Sequence, residues 1–567
     1  MKYFRELIFK YKVSDFIEKY KYHLCFIAIG IVYFFNLFID IMEVDAAQFA
    51  SISREMIKNG SYLEVYQHGQ DYLDKPPLLF WLASFSMKLF GVSNQAYKLP
   101  ALLVIVAGIY ATYGFAKIWY SQKTAVIAAL ILSTTQAFLL ITNDVRTDGI
   151  LTGFVMLSIW QLSLFLRNNK IINLLFGSLA VGAAMLSKGP IGMIIVALAI
   201  GGDLLIKRQF KNIFKPQWLI LAGVVGITLI PMCIGLYQQF DLHPEKEVYG
   251  IKGPSGLKFF FWTQSFGRIT GESSWNNHSG FLYFFQTILW DFQPWILFLI
   301  PALFSSIRKL FVLRLKGIGT NEYITLSGFV LTFAALSLSS YKLPHYIFPI
   351  FPFIAIITAN YIVSIIEKNN KYSRFLSNLH LGFITLFFIA PFLSFSLFFP
   401  VNPIILPVVV IVLFLLFCLT IKVTKSGADR VVLPTVIAAF AFGLVLSTYF
   451  YPSLLKYQSE SVVGKEIYRN KISPDQFYSF KAGSFSLDFY TQSIVSEFDV
   501  NKIDTYGKGV HVYTNSAGKD EILEKSGDYK ISKTFDDFHI TGLKLPFLLK
   551  KTRGQAIKET YLLVKEK

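Results

Sequence analysis

The chain has 567 residues, of which 54% are hydrophobic and only 16% are charged, whereas soluble globular proteins carry nearer a quarter charged. The formal net charge of +18 does not point to nucleic acid, because no basic soluble domain carries the excess; cytoplasmic loops of a membrane protein account for it. Cys25, Cys233 and Cys418 all lie in apolar runs, which excludes a disulfide framework and a cysteine-based metal site.

Apolar runs of about 16–21 residues recur from Tyr22 to Pro452, most of them long enough to cross a hydrocarbon core of roughly 30 Å. In chain order the expected spans are Tyr22–Ile41, Leu99–Ile118, Ala125–Ile141, Gly149–Leu166, Ile171–Leu186, Ile191–Ile206 and Trp218–Leu236. They continue with Phe281–Ile300, Ile324–Ser339, Tyr346–Ile366, Leu379–Phe399, Ile404–Ile421 and Val431–Tyr451, about thirteen in all. The first run follows a basic stretch and has no small-residue cleavage site after it, so it reads as a retained anchor. Pro76–Phe90 is short and interrupted, and reads as an interfacial helix.

Basic clusters close nearly every second span: Lys117 and Lys123, Arg167 and Lys170, Lys207 to Lys215, Arg308 to Lys316, Lys368 to Arg374, and Lys422 to Arg430. The positive-inside rule then puts the N-terminus in the cytoplasm and, with an odd number of spans, the C-terminal part outside. The expected architecture is a mainly α polytopic membrane domain, residues 1–452, with outer loops at 42–98 and 237–280. A small C-terminal α/β extracytoplasmic domain follows at 453–567, with strands at Gln476–Phe480, Ser493–Phe498, Val510–Tyr513 and Tyr561–Val564.

Some cations break the positive-inside bias. Arg146 lies in Thr142-Asn-Asp-Val-Arg-Thr-Asp148, Lys188 in Leu186-Ser-Lys-Gly-Pro190, and Lys342 in Ser340-Tyr-Lys-Leu-Pro-His-Tyr346. Lys75 and Arg268 add to them from the longer outer loops. Cations beside Pro and Gly at the membrane surface suit a lipid phosphate; the plainer alternative is that each one reaches up to the headgroups. Asp45 precedes an amphipathic helix, Ala46–Lys58, with Phe49, Ile52, Met56 and Ile57 on one face. It is either the helix N-cap or a general base toward a hydroxyl acceptor. Asp148 has the same ambiguity at the start of the fourth span. Asp74 and His278 are the residues a metal such as zinc would use.

Together these motifs resemble the bacterial relatives of the protein O-mannosyltransferases, and most of all the aminoarabinose transferases of lipid A modification. The likeness runs through Asp45-Ala-Ala-Gln-Phe-Ala-Ser-Ile-Ser-Arg-Glu-Met56, Tyr72-Leu-Asp-Lys-Pro-Pro77, Asp148-Gly-Ile-Leu-Thr152, Lys188-Gly-Pro190, Arg268-Ile-Thr270 with His278, and Lys342-Leu-Pro-His-Tyr346. The resemblance implies a GT-C fold in the bacterial inner membrane and a glycosyltransferase using a polyprenyl-phosphate-linked sugar. The acceptor would be a lipid, glycan or protein, with membrane lipids as the surroundings and no nucleic acid. Asp45 and Asp148 would be the acidic residues of the site. Lys75, Lys188, Arg268, Lys342 and Tyr346 would hold the lipid phosphate, and Asp74 and His278 would match the relatives' zinc ligands. Ala46-Ala-Gln48 departs from the Glu and Arg of the aminoarabinose enzymes, and the C-terminal part has no clear counterpart, so sugar and acceptor stay open. The rival class is a transporter, flippase or polymerase of lipid-linked glycans; charged motifs gathered at one face favour the interfacial enzyme.

Overall fold

A computed structural model of the chain describes residues 2–264, 267, 277, 279–316, 321–339, 341–368, 370–399, 405–424 and 427–566. The described chain is mostly helical. The first helices are α1 (Lys2–Asn36), α2 (Asp45–Asn59), α3 (Leu78–Phe90), α4 (Asn94–Trp119), α5 (Gln122–Thr134), α6 (Gln136–Ile141), α7 (Thr147–Asn168), α8 (Ile171–Lys188) and α9 (Ile191–Ile206). Helices at Trp218–Leu236, Ile296–Lys316, Ile324–Ser337, Phe351–Ile366, Lys371–Phe398, Ile405–Val423 and Asp429–Val445 follow.

Among the described residues, seven helical stretches are long and apolar enough to cross a membrane. Four shorter apolar helices, α3, α5, α9 and Ile324–Ser337, accompany them. Three expected spans differ in detail; one of them, Phe281–Ile300, is divided into helices Tyr283–Asp291 and Ile296–Lys316 by a non-helical stretch at residues 292–295. The run Ala125–Ile141 is divided between α5 and α6 at Thr135, which takes an extended conformation. Its hydroxyl accepts from the Phe138 N–H and starts the second helix. The run Tyr22–Ile41 leaves the helix at Asn36, and residues 37–44 form an irregular connection.

Close packing of α7 fixes the site's floor. It packs against both α4 and α8, and a Cβ added to Gly108 of α4 would sit 2.7 Å from the Gly153 Cα of α7. Small residues at this crossing let the two backbones touch, as membrane helices commonly do.

Two short antiparallel hairpins lie in the connections, β1 (Tyr66–Gln67) with β2 (Gln70–Asp71), and β3 (Glu247–Val248) with β4 (Ile251–Lys252). The C-terminal part contains a five-stranded mixed sheet in the order β6-β5-β7-β9-β8. Its strands are β5 (Phe477–Phe480), β6 (Ser496–Glu497), β7 (His511–Asn515), β8 (Tyr529–Asp537) and β9 (Lys558–Lys565). Strand β5 runs parallel to β6 and β7, while β9 runs antiparallel to β7 and β8. The edge strand β8 was not among the expected strands. Most of its side chains are exposed, so its Lys- and Asp-rich run lacks the apolar alternation that marks a half-buried strand.

The amphipathic helix expected after Asp45 is α2, which buries Phe49, Ile52 and Met56. These join Phe80 of α3, Tyr97 of α4, and Phe489 and Tyr490 of the C-terminal part in one apolar cluster. The first long connection and the C-terminal part therefore share a core.

Candidate active site

The turn between α6 and α7 organises the site. Arg146 immediately precedes α7; its Nε donates to Asp144 Oδ2 at 2.7 Å and its guanidinium also bonds the Asp45 carboxylate. Asp45 is the first residue of α2. The cap position is Val44, with no side-chain cap hydrogen bond, so the N-cap alternative gives way to an ion pair with Arg146. An acid in the first turn still sits favourably at the positive end of the helix.

Asp148 lies in the first turn of α7, and its side chain is 2% exposed. One oxygen receives the Lys188 ammonium, and the other faces His345 Nε2 at 3.8 Å. Lys188 is the last residue of α8, followed by Gly189 at φ +86°. That left-handed conformation is one glycine adopts freely; it turns the chain sharply into Pro190 and α9. The Lys188 Nζ also lies 3.6 Å from the centre of the Tyr346 ring, a cation–π contact that holds the ammonium over the aromatic face.

Lys75 pairs with Asp74 at 2.7 Å, and Gln264 Nε2 donates to the other Asp74 oxygen at 2.7 Å. Lys75, Lys188, Gln264, Ser339 and Tyr346 form the polar lining of a cavity of about 300 Å³ whose remaining walls are apolar, among them Leu151, Ile194 and Leu336. Cations on an otherwise hydrocarbon-lined cavity match an amphiphile with an anionic head.

The structure thus brings together Asp45, Lys75, Asp148, Lys188 and Tyr346. Lys342 does not line this cavity; it is almost fully buried, and its Nζ donates to the Ser279 carbonyl at 2.8 Å. Burial lowers its pKa. Arg268 and His278 lie outside the described residues. Among the described residues no three His, Cys, Asp or Glu side chains gather as a metal site would need, and the Asp74 carboxylate bonds Lys75 and Gln264. Arg146 is one of the cations that break the positive-inside bias, whereas Asp144, Gln264 and His345 are additions to the expected set. Arg146 and His345 stood inside motifs already singled out; the two acids and one base packed into Asn143–Asp148 were the signal for Asp144 and Arg146.

A second cavity, about 640 Å³, lies where the first long connection meets the C-terminal part. Five carboxylates line it, including Glu43, Glu460 and Asp537, against Lys481, His68 and His539. Burial raises the Glu43 carboxyl, and it pushes Glu460 up to about 7 with help from the like charges of Asp537 and Glu43. His68 shifts upward because it is hydrogen-bonded to Asp488 at 2.8 Å.

Comparison with known proteins bears on this geometry. Residues 74–234 match the family described as dolichyl-phosphate-mannose-protein mannosyltransferase. The crystal structure of ArnT from Cupriavidus metallidurans bound to undecaprenyl phosphate superposes with a TM-score of 0.71, at 18% identity, over 95% of this chain and 97% of that one. The chain shares the fold of that structure. Two sequence relatives are similar over long stretches of the chain. An undecaprenyl phosphate-alpha-4-amino-4-deoxy-L-arabinose arabinosyl transferase of Proteus mirabilis (strain HI4320) is 26% identical over 58% of this chain and 56% of its own length. An uncharacterised protein of Aquifex aeolicus (strain VF5) is 26% identical over 84% of this chain and 87% of its own. The match thus spans little more than half the length of the named transferase, while the likeness in fold extends over nearly the whole chain.

Proposed function

We propose that the chain is a membrane glycosyltransferase that moves a sugar from a polyprenyl-phosphate donor to a hydroxyl of a lipid, glycan or protein acceptor at the outer membrane face. The observation that carries this reading is the apolar cavity with Lys75, Lys188 and Tyr346 on its lining, next to the Asp148 carboxylate that Lys188 pairs with. The ArnT structure named for bound undecaprenyl phosphate supports the donor class. In this reading about thirteen spans within residues 1–452 form the membrane domain, the N-terminus is cytoplasmic, and residues 453–567 lie outside.

Chemistry divides between the two acids by accessibility. The Asp45 side chain is 40% exposed and Asp148 only 2%, so Asp45 is the base that an acceptor can reach. The acceptor oxygen attacks the anomeric carbon, its proton passes to Asp45, and the carbon–oxygen bond to phosphate breaks with both electrons leaving on polyprenyl phosphate. Lys75 and Lys188 offset the charge that develops there. Asp148 holds Lys188 in place, and Arg146 orients Asp45.

The acceptor reading rests on the second cavity. Its five acidic side chains, with Glu460 partly protonated near pH 7, still outnumber one lysine and two histidines, a lining that suits hydroxyls over phosphate. A phosphate acceptor would need no base, whereas a hydroxyl gives Asp45 its task. Binding of undecaprenyl phosphate to the purified chain in detergent tests the donor site. Lys75→Ala and Lys188→Ala should each weaken it about tenfold, the loss expected for one charge-assisted contact. Unchanged affinity in both variants would remove the donor from this cavity.

A further inference from the structure

We infer that Gln458 and Tyr490, from the C-terminal part of the chain, are positioning residues for Asp45. The inference rests on the reading of Asp45 as the base. Residues 37–44, which lead into Asp45, belong to no helix or strand. Their backbone groups need partners from elsewhere, because a buried amide left unpaired is costly. At Ile41 and Glu43 the partners come from far along the chain. The Ile41 N–H donates to the Tyr490 hydroxyl at 2.8 Å, and the Ile41 carbonyl accepts from Gln458 Nε2 at 2.9 Å. The Glu43 N–H donates to Gln458 Oε1 at 3.0 Å. Ile41 is 1% exposed and Gln458 2%, so water does not replace these bonds.

Gln458 thus spends both ends of its amide on one short stretch of backbone two to four residues before Asp45. Only an uncharged amide supplies a donor and an acceptor in that arrangement. Tyr490 in turn donates to Asn94 Oδ1 at 2.9 Å, which ties the same stretch to the start of α4. Further, the Ser486 N–H donates to the Glu43 carboxylate at 2.6 Å. The C-terminal part therefore sets where α2 begins and hence where its first residue, Asp45, points. A displacement of the order of 1 Å at a catalytic group is enough to cost one to two powers of ten in rate.

The test uses the full chain in membranes, with a labelled undecaprenyl-phosphate sugar and the endogenous membrane acceptors. Gln458→Leu, Gln458→Glu and Tyr490→Phe are compared with wild type and with Asp45→Asn. The expected result is a fall in kcat of about tenfold or more, with the donor KM little changed; the thermal midpoint falls in Gln458→Leu, which leaves buried backbone groups unpaired, and less in Tyr490→Phe. In the Asp45→Asn background the Gln458 changes should add no further loss, since they act through Asp45. Full kcat in folded Gln458 and Tyr490 variants, or losses that multiply with that of Asp45→Asn, would overturn the inference alone. Should Gln458→Leu not fold, Tyr490→Phe, which deletes only the hydroxyl, decides by the same criteria. Wild-type activity in Asp45→Asn would bring down the reading of Asp45 as base and this inference with it.

Discussion

Asp45 and Asp148 each sit beside a cation, and their surroundings give them different work. Arg146 ties Asp45 to Asp144, while Lys188 and His345 flank a fully enclosed Asp148. Replacing Asp45 with Asn keeps the shape and removes the proposed base, so transfer should fall about 10²–10⁴-fold while undecaprenyl phosphate still binds. Asp148→Asn should act through Lys188 and raise the donor KM as well; a donor titration separates the two. Glu460 offers a test at a distance from the chemistry. Its carboxyl is raised from an ordinary 4.5 to about 7, chiefly by burial. The folded protein keeps that proton while the unfolded chain loses it, so Glu460 costs stability as pH rises between 4.5 and 7. Glu460→Gln should be close to neutral near pH 4 and stabilising near pH 8, as thermal unfolding at the two pH values would show.

At the scale of elements, sequence and structure agree where periodicity or a run of apolar residues sets the answer. The amphipathic pattern after Asp45 gave α2 with its expected buried face, and the strands at Phe477–Phe480 and His511–Asn515 fall where β-branched and aromatic residues cluster. The division of α5 from α6 was hidden, because Thr135 stands in an unbroken apolar run and its hydroxyl acts only through local backbone bonds. Strand β8 was hidden for the opposite reason: pairing with β9, not burial, holds it. The site's members could be named from local motifs, but not its pairings. Arg146 with Asp45 and Lys188 with Asp148 join residues 101 and 40 positions apart, which no spacing rule connects. The α4–α7 crossing carries its own prediction. A Cβ at Gly153 would lie 2.5 Å from the Val104 carbonyl oxygen, so Gly153→Leu should force the helices apart. A loss of about 1–3 kcal/mol, read by thermal unfolding in detergent, is the scale expected for overpacking.

For the molecule as a whole, the fold joins two environments around one loop. An apolar cavity bearing Lys75 and Lys188 faces the helices, and a carboxylate-lined cavity lies toward the C-terminal sheet. The residues leading into Asp45 contribute Glu43 and Val44 to the second cavity, while Arg146 connects Asp45 to the start of α7, the helix that also bears Asp148. In the proposed reading, a lipid-borne sugar and a hydroxyl acceptor would approach Asp45 from different sides, with the leaving phosphate held by Lys75 and Lys188. The most direct measurement follows label from undecaprenyl-phosphate sugars in right-side-out and inverted membrane vesicles, comparing wild type with Asp45→Asn and Lys75→Ala. The account predicts transfer to a hydroxyl acceptor at the outer face, lost in both variants. Labelled lipid that crosses the membrane unchanged, or full transfer in both variants, would contradict it.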